Sequence, residues 1–431
     1  MATATLAWKQ AGIVGCGGSG KAAPMWIIAD MDRTLVDKPP KGGYPKLDES
    51  PCYEPLVRWL DAGGRLCVVT TDGGLRTFRA IWECLPAERR ANGQVVICTA
   101  DGAALHYGDE NGTLLEDEDY KTNALEGSEG MSSVPGLPPE IMPELLEIGR
   151  DIQLAWFDDL LVDNALLSHL GPRDRESYTI ILKRIVRASK GLPLGDTFDF
   201  GEPYGADDAS ELDGFDTEAV AAARTKLREL FTIENLLNMG GRLKRRGSLI
   251  WRNMTGPMSE EIMQDMQDPH SRALFTTVVI MSVPEEVRQK YIRQLDVHSR
   301  LGRLGVELSN APNSIWFKNP AVDKSLPVRY MLRHSKRFEF DITRAVAFGD
   351  NPGGNDKPLT GFERQGMPFV SVNENASESP TESQPNHVGG YELGTSIVIS
   401  ELTKAMRAAV YSRDLLQEIL PTCRRQLNSR L

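Results

Sequence analysis

The sequence predicts an α/β fold: a doubly wound parallel sheet interrupted by an inserted α+β domain. Three observations carry that expectation. Short apolar runs with β-branched centres alternate with helical stretches at short spacing in the first hundred residues. Two such runs, far apart in the chain, end in carboxylates, Asp30 and Asp350. Between them a long stretch breaks the alternation with strands and helices of its own.

The first run, Trp26-Ile27-Ile28-Ala29, precedes Asp30-Met31-Asp32-Arg33-Thr34-Leu35. Four consecutive apolar residues fit a central parallel strand, buried on both faces. At the carboxyl end of such a strand the side chains face a crevice. Asp30 and Asp32 leave on the same side and can share one cation. Without a cation, two carboxylates so close resist ionisation. A solvated turn also favours Asp, so the pair alone decides nothing.

The next elements follow in order. Glu54–Ala62 reads as an amphipathic helix, and Arg65–Thr71 as a strand ending in two hydroxyls before Asp72. Leu75–Cys84 is the next helix, and Gln94–Thr99 a third buried strand leading into a turn at Asp101-Gly102. Leu105–Tyr107 and Gly112–Leu115 read as a hairpin leading away from the sheet.

Residues 118–312 are expected to form the inserted domain, with residues 25–117 and 313–431 forming the core and 1–24 a flexible leader. The insert opens with a Gly-, Ser- and Pro-rich linker at Gly127–Pro139. Helices are expected at Glu140–Arg150, Tyr178–Ser189 and Pro284–Leu295, and strands at Ser248–Asn253, Phe275–Met281, Val306–Ser309 and Ser314–Phe317. The acidic stretch 192–216 reads as a surface insertion, and Arg242–Arg246 as a solvated or substrate-facing basic run. Beyond it, Val322-Asp323-Lys324-Ser325 opens a helix, Ala345–Gly349 is a strand ending at Asp350, and Pro368–Val372 is the next strand. A polar loop at Glu374–His387 precedes a helical tail over Ile399–Leu420.

Composition narrows the partners. The chain has 431 residues, 41% of them hydrophobic, which is ample for a buried core. A formal charge of −11 argues against nucleic acid or an anionic membrane. The six cysteines form no CxxC pair, and Cys67 and Cys98 sit in apolar strands, as expected of reduced thiols in a cytoplasmic protein. No apolar run approaches the ~18 residues of a membrane span. Gly15–Ala22 matches two phosphate-loop patterns, yet Pro24 and a strand follow where a helix is required.

The carboxylate pair, the hydroxyls, Lys324 and the downstream Asp350-Asn351-Pro352-Gly353-Gly354-Asn355-Asp356 occur in one order. In that order they resemble the four motifs of the haloacid dehalogenase superfamily of phosphotransferases, covering the chain from about residue 25 to 400. The resemblance implies a Rossmann-like core with an inserted α+β cap that selects the substrate. It implies Asp30 as nucleophile, Asp32 as proton donor and then base, Thr71 (or Thr70) as hydrogen-bond donor to the phosphoryl oxygens, and Lys324 as a point charge. It implies Mg2+ held by Asp30, Asp32 through its backbone carbonyl, and Asp350, supported by Asp356 or Asn355.

Arg33 stands where that family usually has Gly. Thr99–Ala103 resembles a turn of Cof-type sugar phosphatases, while Pro352–Asp356 and Arg252-Asn253 resemble eukaryotic phosphomannomutases and make Arg252 and Asn253 substrate-binding candidates. The mutase pattern before the lysine is half matched, with Ser314 present and Trp316 replacing the Asp. The resemblance therefore implies a Mg-dependent phosphatase of a small phosphorylated metabolite, a sugar phosphate, working through an aspartyl-phosphate. A phosphohexomutase and a non-catalytic binding protein on the same fold are the alternatives. Oligomeric state is not readable from the sequence.

Overall fold

The computed structural model describes residues 25–37, 45–72, 74–126, 134–169, 175, 182, 189–191, 217–230, 276–280, 285–311, 314–374, 386–408 and 415–430. The phosphate-loop-like Gly15–Ala22, the acidic stretch 192–216, the basic run Arg242–Arg246 and the expected strand carrying Arg252 and Asn253 lie outside the described residues. Most of the helix expected at Tyr178–Ser189 does too.

In chain order the described strands are β1 Trp26–Ala29, β2 Arg65–Val69, β3 Val95–Thr99, β4 Ala104–Gly108, β5 Leu114–Glu116, β6 Thr276–Ile280, β7 Glu307–Ala311, β8 Ser314–Lys318, β9 Ala345–Gly349 and β10 Phe369–Ser371. Seven form one sheet in the order β10-β9-β1-β2-β3-β4-β5. Its strands are parallel from β10 to β3, with β4 and β5 antiparallel at one edge. With helices on both faces this is the expected α/β, Rossmann-like architecture.

β1 is central, and all four of its residues are fully buried. Trp26 lies beside Arg65 of β2 on one side and beside Ala345 of β9 on the other. Its residues alternate between the two faces. Ile27 and Ala29 join a core with Leu56 and Trp59 of the helix Tyr53–Asp61 and Ile397 and Val398 of the helix Tyr391–Arg407. Trp26 turns to the opposite face, where its ring meets Phe340 edge-on at 5.8 Å. The chain winds one way through β2 and β3 and returns on the other side through β9 and β10. The strand order therefore reverses at β1, and the crevice at the carboxyl ends of such a sheet opens there.

The turn into β2 is equally constrained. Trp59 is fully buried and its indole N–H donates to the Arg65 carbonyl at 3.0 Å. A Cβ on Gly64 would lie 2.3 Å from that ring, and Gly63 has φ +88°. The two glycines let the chain reverse directly against the tryptophan.

The chain divides into two compact units, Met1–Gly136 with Ala321–Leu431, and Leu137–Pro320. Both limits differ from the expected 117/118 and 312/313. At the first, Asp117 caps the helix Glu118–Asn123 by accepting the Tyr120 N–H at 3.0 Å, and the Tyr120 hydroxyl donates to the Gly102 carbonyl at 2.5 Å. Those bonds hold residues 117–123 to the large sheet's unit. At the second, β8 pairs with β6 and β7, so the sheet core resumes only after Pro320.

Three further expectations change. The hairpin β4–β5 does not lead away; it pairs with β3 and extends the large sheet. The helix expected over Glu140–Arg150 runs over Met142–Val162, because Ile152, Trp156, Phe157 and Leu160 continue the buried stripe begun by Leu145 and Ile148. The tail is two helices, Tyr391–Arg407 and Leu415–Asn428, packed on each other.

The second unit is α+β. Its antiparallel sheet has the order β6-β8-β7, and Ile315 and Phe317 of β8 share a core with the helix Met142–Val162 and with Tyr291 and Ile292 of the helix Glu285–Gln294. Among the described residues no helix is long and apolar enough to cross a membrane.

Removing the Trp59 side chain should cost about 3–5 kcal/mol of stability, the range for a large buried aromatic truncated to alanine. Urea unfolding of Trp59→Ala followed by circular dichroism checks it, and a loss under about 1 kcal/mol would contradict this account of the β1–β2 turn.

Candidate active site

Asp30 follows β1 directly, and its N–H donates to the Phe348 carbonyl of β9 at 3.0 Å. That bond continues the ladder one residue past the strand and fixes where the carboxylate emerges. Asp350 follows β9 in the same way, and its carbonyl accepts from Asn373 Nδ2 at 2.9 Å. The loop after it, Asn351–Asp356, folds back on itself, with the Asp356 N–H donating to the Asn351 carbonyl at 3.2 Å. This return places the Asp356 carboxylate over Gly349, where a Cβ would lie 2.3 Å from Asp356 Oδ2. Glycine is required there by close approach.

Lys324 arrives from a different direction. Asp323 Oδ1 accepts the Ser325 N–H at 2.8 Å and the Asp323 carbonyl accepts the Leu326 N–H at 2.9 Å, a turn that opens the helix Leu326–Arg333. The Lys324 side chain is fully buried, and its Nζ lies 2.7 Å from Asp30 Oδ1 and 2.7 Å from Asp356 Oδ1. Asp356 is also fully buried, and its other oxygen accepts the Asn351 N–H at 3.0 Å.

Electrostatics follow from this packing. Burial alone would lower the Lys324 ammonium, but the charges of Asp30 and Asp356 outweigh it and hold the lysine well above its ordinary value. Burial drives the Asp30 carboxyl well upward against the opposing pull of Lys324. Burial, followed by the charge of Asp356, pushes Asp350 up to about 6. Asp30, Asp350 and Asp356 each present an oxygen within 4.8 Å of the others. Three carboxylates against one ammonium leave an excess of negative charge in a largely dry site. Such an all-oxygen set suits a hard divalent cation.

The Asp32 side chain is not part of that set. Its carboxylate faces Arg76, whose Nη1 donates to Oδ2 at 3.2 Å while Nη2 pairs with Oδ1. Of the two hydroxyls, Thr71 Oγ1 donates to Asp101 Oδ1 at 3.3 Å and accepts from Asn355 Nδ2 at 3.2 Å. Thr70 Oγ1 instead accepts the Asp72 N–H at 3.1 Å and serves its own turn. Asp30, Thr71, Lys324, Asp350 and Asp356 are therefore gathered at one end of the large sheet.

Arg33 has φ +56°, which explains why the resemblance leads one to expect glycine there. Its guanidinium lies 5.2 Å from the Tyr391 ring centroid, a cation–π contact that partly offsets the strained backbone.

Two site residues escaped the sequence reading. Arg76 carried no signal, since an arginine in a helical stretch is ordinarily exposed. Asp101 was visible only as a turn residue; it is buried at φ +62°, and its N–H donates to the Thr70 carbonyl at 2.9 Å.

No family model and no curated protein sequence matches the chain. Among solved structures it is similar to IMP-bound Plasmodium falciparum IMP-nucleotidase (9% identity, 90% of this chain and 66% of that chain, TM-score 0.36). The ATP-bound form of that nucleotidase matches at 8% identity over 89% of this chain and 60% of that one, with a TM-score of 0.39. A subclass IIB sugar phosphatase of the haloacid dehalogenase superfamily matches at 12% identity over 89% of this chain and 98% of its own, with a TM-score of 0.36. The chain thus spans less than two thirds of the length of the nucleotidase forms quoted.

Two outcomes test the site. Lys324→Met leaves Asp30 and Asp356 buried without their counter-charge and should lose about 3–5 kcal/mol in urea unfolding without added cation. The second concerns pH. Asp350 binds its proton more tightly folded than unfolded, so ionising it costs stability as pH rises from the ordinary carboxylate range to about 6. A divalent cation competes with that proton. Magnesium should therefore raise the melting temperature more at pH 7.5 than at pH 5, and equal shifts would contradict the assignment.

Proposed function

We propose that this protein is a magnesium-dependent phosphatase of the haloacid dehalogenase type, acting on a small phosphorylated metabolite, a sugar phosphate. One observation carries the reading: the buried Lys324 ammonium joins Asp30 and Asp356, with Asp350 beside them, at the sheet's switch point. Phosphoryl transfer needs a nucleophile, a proton donor and neutralisation of charge on the transferring group. This cluster supplies all three in combination with Asp32 and Thr71.

In this reading an Asp30 carboxylate oxygen attacks phosphorus. The bond from phosphorus to the leaving oxygen breaks, and Asp32 gives that oxygen its proton. Water then attacks the aspartyl-phosphate, passes a proton to Asp32 and frees Asp30 as inorganic phosphate departs. Lys324 holds Asp30 in place and bears positive charge toward the phosphoryl oxygens, and Thr71 Oγ1 donates to one of them. Magnesium on Asp30, Asp350 and Asp356 would supply further neutralisation of the phosphoryl charge. The inserted unit is assigned substrate selection, with Arg252 and Asn253 as contacts. A cytoplasmic location belongs to the same reading, supported by the free thiols of Cys52, Cys67, Cys84, Cys98 and Cys423.

Trp316, half-buried on β8, stands where the mutase pattern has an Asp, which favours hydrolysis over phosphohexomutase activity. Phosphate release from a panel of sugar phosphates with magnesium, compared with Asp30→Asn, tests the proposal. Release by the wild type that falls at least about 10³-fold in the variant is expected. Interconversion of hexose 1- and 6-phosphates without release would establish the mutase instead.

A further inference from the structure

Arg76 sits in the short helix Gly74–Thr77, just before the π-helical turn Phe78–Trp82, a form frequent at functional sites. Its side chain is only 6% exposed, although the side chains of both aspartates it grips are partly exposed. Nη1 and Nη2 take the two oxygens of Asp32, and Nη1 also pairs with Asp72. A planar fork on both oxygens of one carboxylate fixes the plane of that carboxylate as well as its place.

The two partners occupy informative positions. Asp32 lies in the turn after β1, two residues from Asp30, and Asp72 immediately follows Thr71. The turn after β1 is strained by Arg33 at φ +56°. Arg76 thus ties together the loops that carry the proton-transfer group and the phosphate-binding hydroxyl. The Asp32 side chain is not one of the three-carboxylate set Asp30, Asp350 and Asp356.

We propose that Arg76 is a positioning residue that aims the Asp32 carboxylate for proton transfer. The proposal rests on the phosphatase reading above. A structural ion pair would need no particular alignment of Asp32, whereas proton transfer to a leaving oxygen does. A misplacement of about 1 Å costs on the order of 100-fold in rate.

The test is a double-mutant cycle on the full chain with Arg76→Gln, Asp32→Asn and the two combined, using the best substrate of the sugar phosphate panel. Expected are a kcat about 100-fold lower in Arg76→Gln with KM little changed, and partial recovery in Arg76→Lys. The combined variant should be no slower than Asp32→Asn alone, because Arg76 acts through Asp32. The magnesium-induced rise in melting temperature should match wild type in Arg76→Gln. Additive losses, a vanished magnesium shift or wild-type turnover in Arg76→Gln would each overturn the proposal. Should Arg76→Gln not fold, Arg76→Lys enters the same cycle; should neither fold, the pair is structural and the proposal falls. No hydrolysis by the wild type, or full activity in Asp30→Asn, removes the phosphatase reading and this inference together. Loss of activity in Asp30→Asn alongside an unaffected Arg76→Gln removes this inference alone.

Discussion

A lysine ammonium held between two carboxylates, all three removed from water, is the interaction on which the rest of this site depends. A buried cation is tolerated only when its charge and its N–H groups are matched. Lys324 meets that condition with Asp30 and Asp356 at 2.7 Å each. These groups come from the end of β1, the start of the helix Leu326–Arg333 and the loop after β9. Satisfying one charge therefore fixes three distant segments against one another. Asp350 adds a further carboxylate to a region of low dielectric, where repulsion is only weakly screened. The resulting excess of negative charge is of the kind that a hard divalent cation matches.

The surrounding backbone serves that constraint at close range. Gly349 leaves room for Asp356, Asn351 donates to the carboxylate from below, and Asn373 holds the Asp350 carbonyl. In the turn after the neighbouring strand β2, Thr71 is held between Asp101 and Asn355. Its hydroxyl is thereby linked to the loop that carries Asp350 and Asp356. Arg76 makes a corresponding link between the turns after β1 and β2. The site is a set of loops cross-braced by polar contacts above a sheet whose central strand β1 is apolar from end to end.

Several elements were legible locally because their signals are local. Trp26–Ala29 could be read as central from four apolar residues in a row, and the strand at Ala345–Gly349 from the same pattern ending in a carboxylate. The inserted unit announced itself by breaking the alternation. Its limits did not, because strand partnership is a long-range property. Ser314–Lys318 reads as a strand in either sheet, and only its pairing with β6 and β7 decides. The hairpin β4–β5 is the same case, since turn chemistry fixes the hairpin but not the edge it extends. The helix Met142–Val162 runs twelve residues past the expected end at Arg150. In the fold Arg150 pairs with Asp151 at 2.8 Å, and the apolar stripe continues beyond it.

By itself, then, the sequence determined the α/β class and the order of the strands that carry function. It also made Asp30, Thr71 and Asp350 candidates, as reactive side chains that close apolar runs in neighbouring letters, while Lys324 and Asp356 became candidates through an order of motifs that resembles the haloacid dehalogenase superfamily. Only the tertiary structure decided which of those residues meet. It placed Asp30, Asp350 and Asp356 together, turned the Asp32 side chain to Arg76, and chose Thr71 over Thr70 for the contact with Asn355. The physical reason is that charge–charge and hydrogen-bond partners are set by distance in space and by burial. Two residues such as Asp32 and Arg76, 44 positions apart, acquire both only when the sheet has formed.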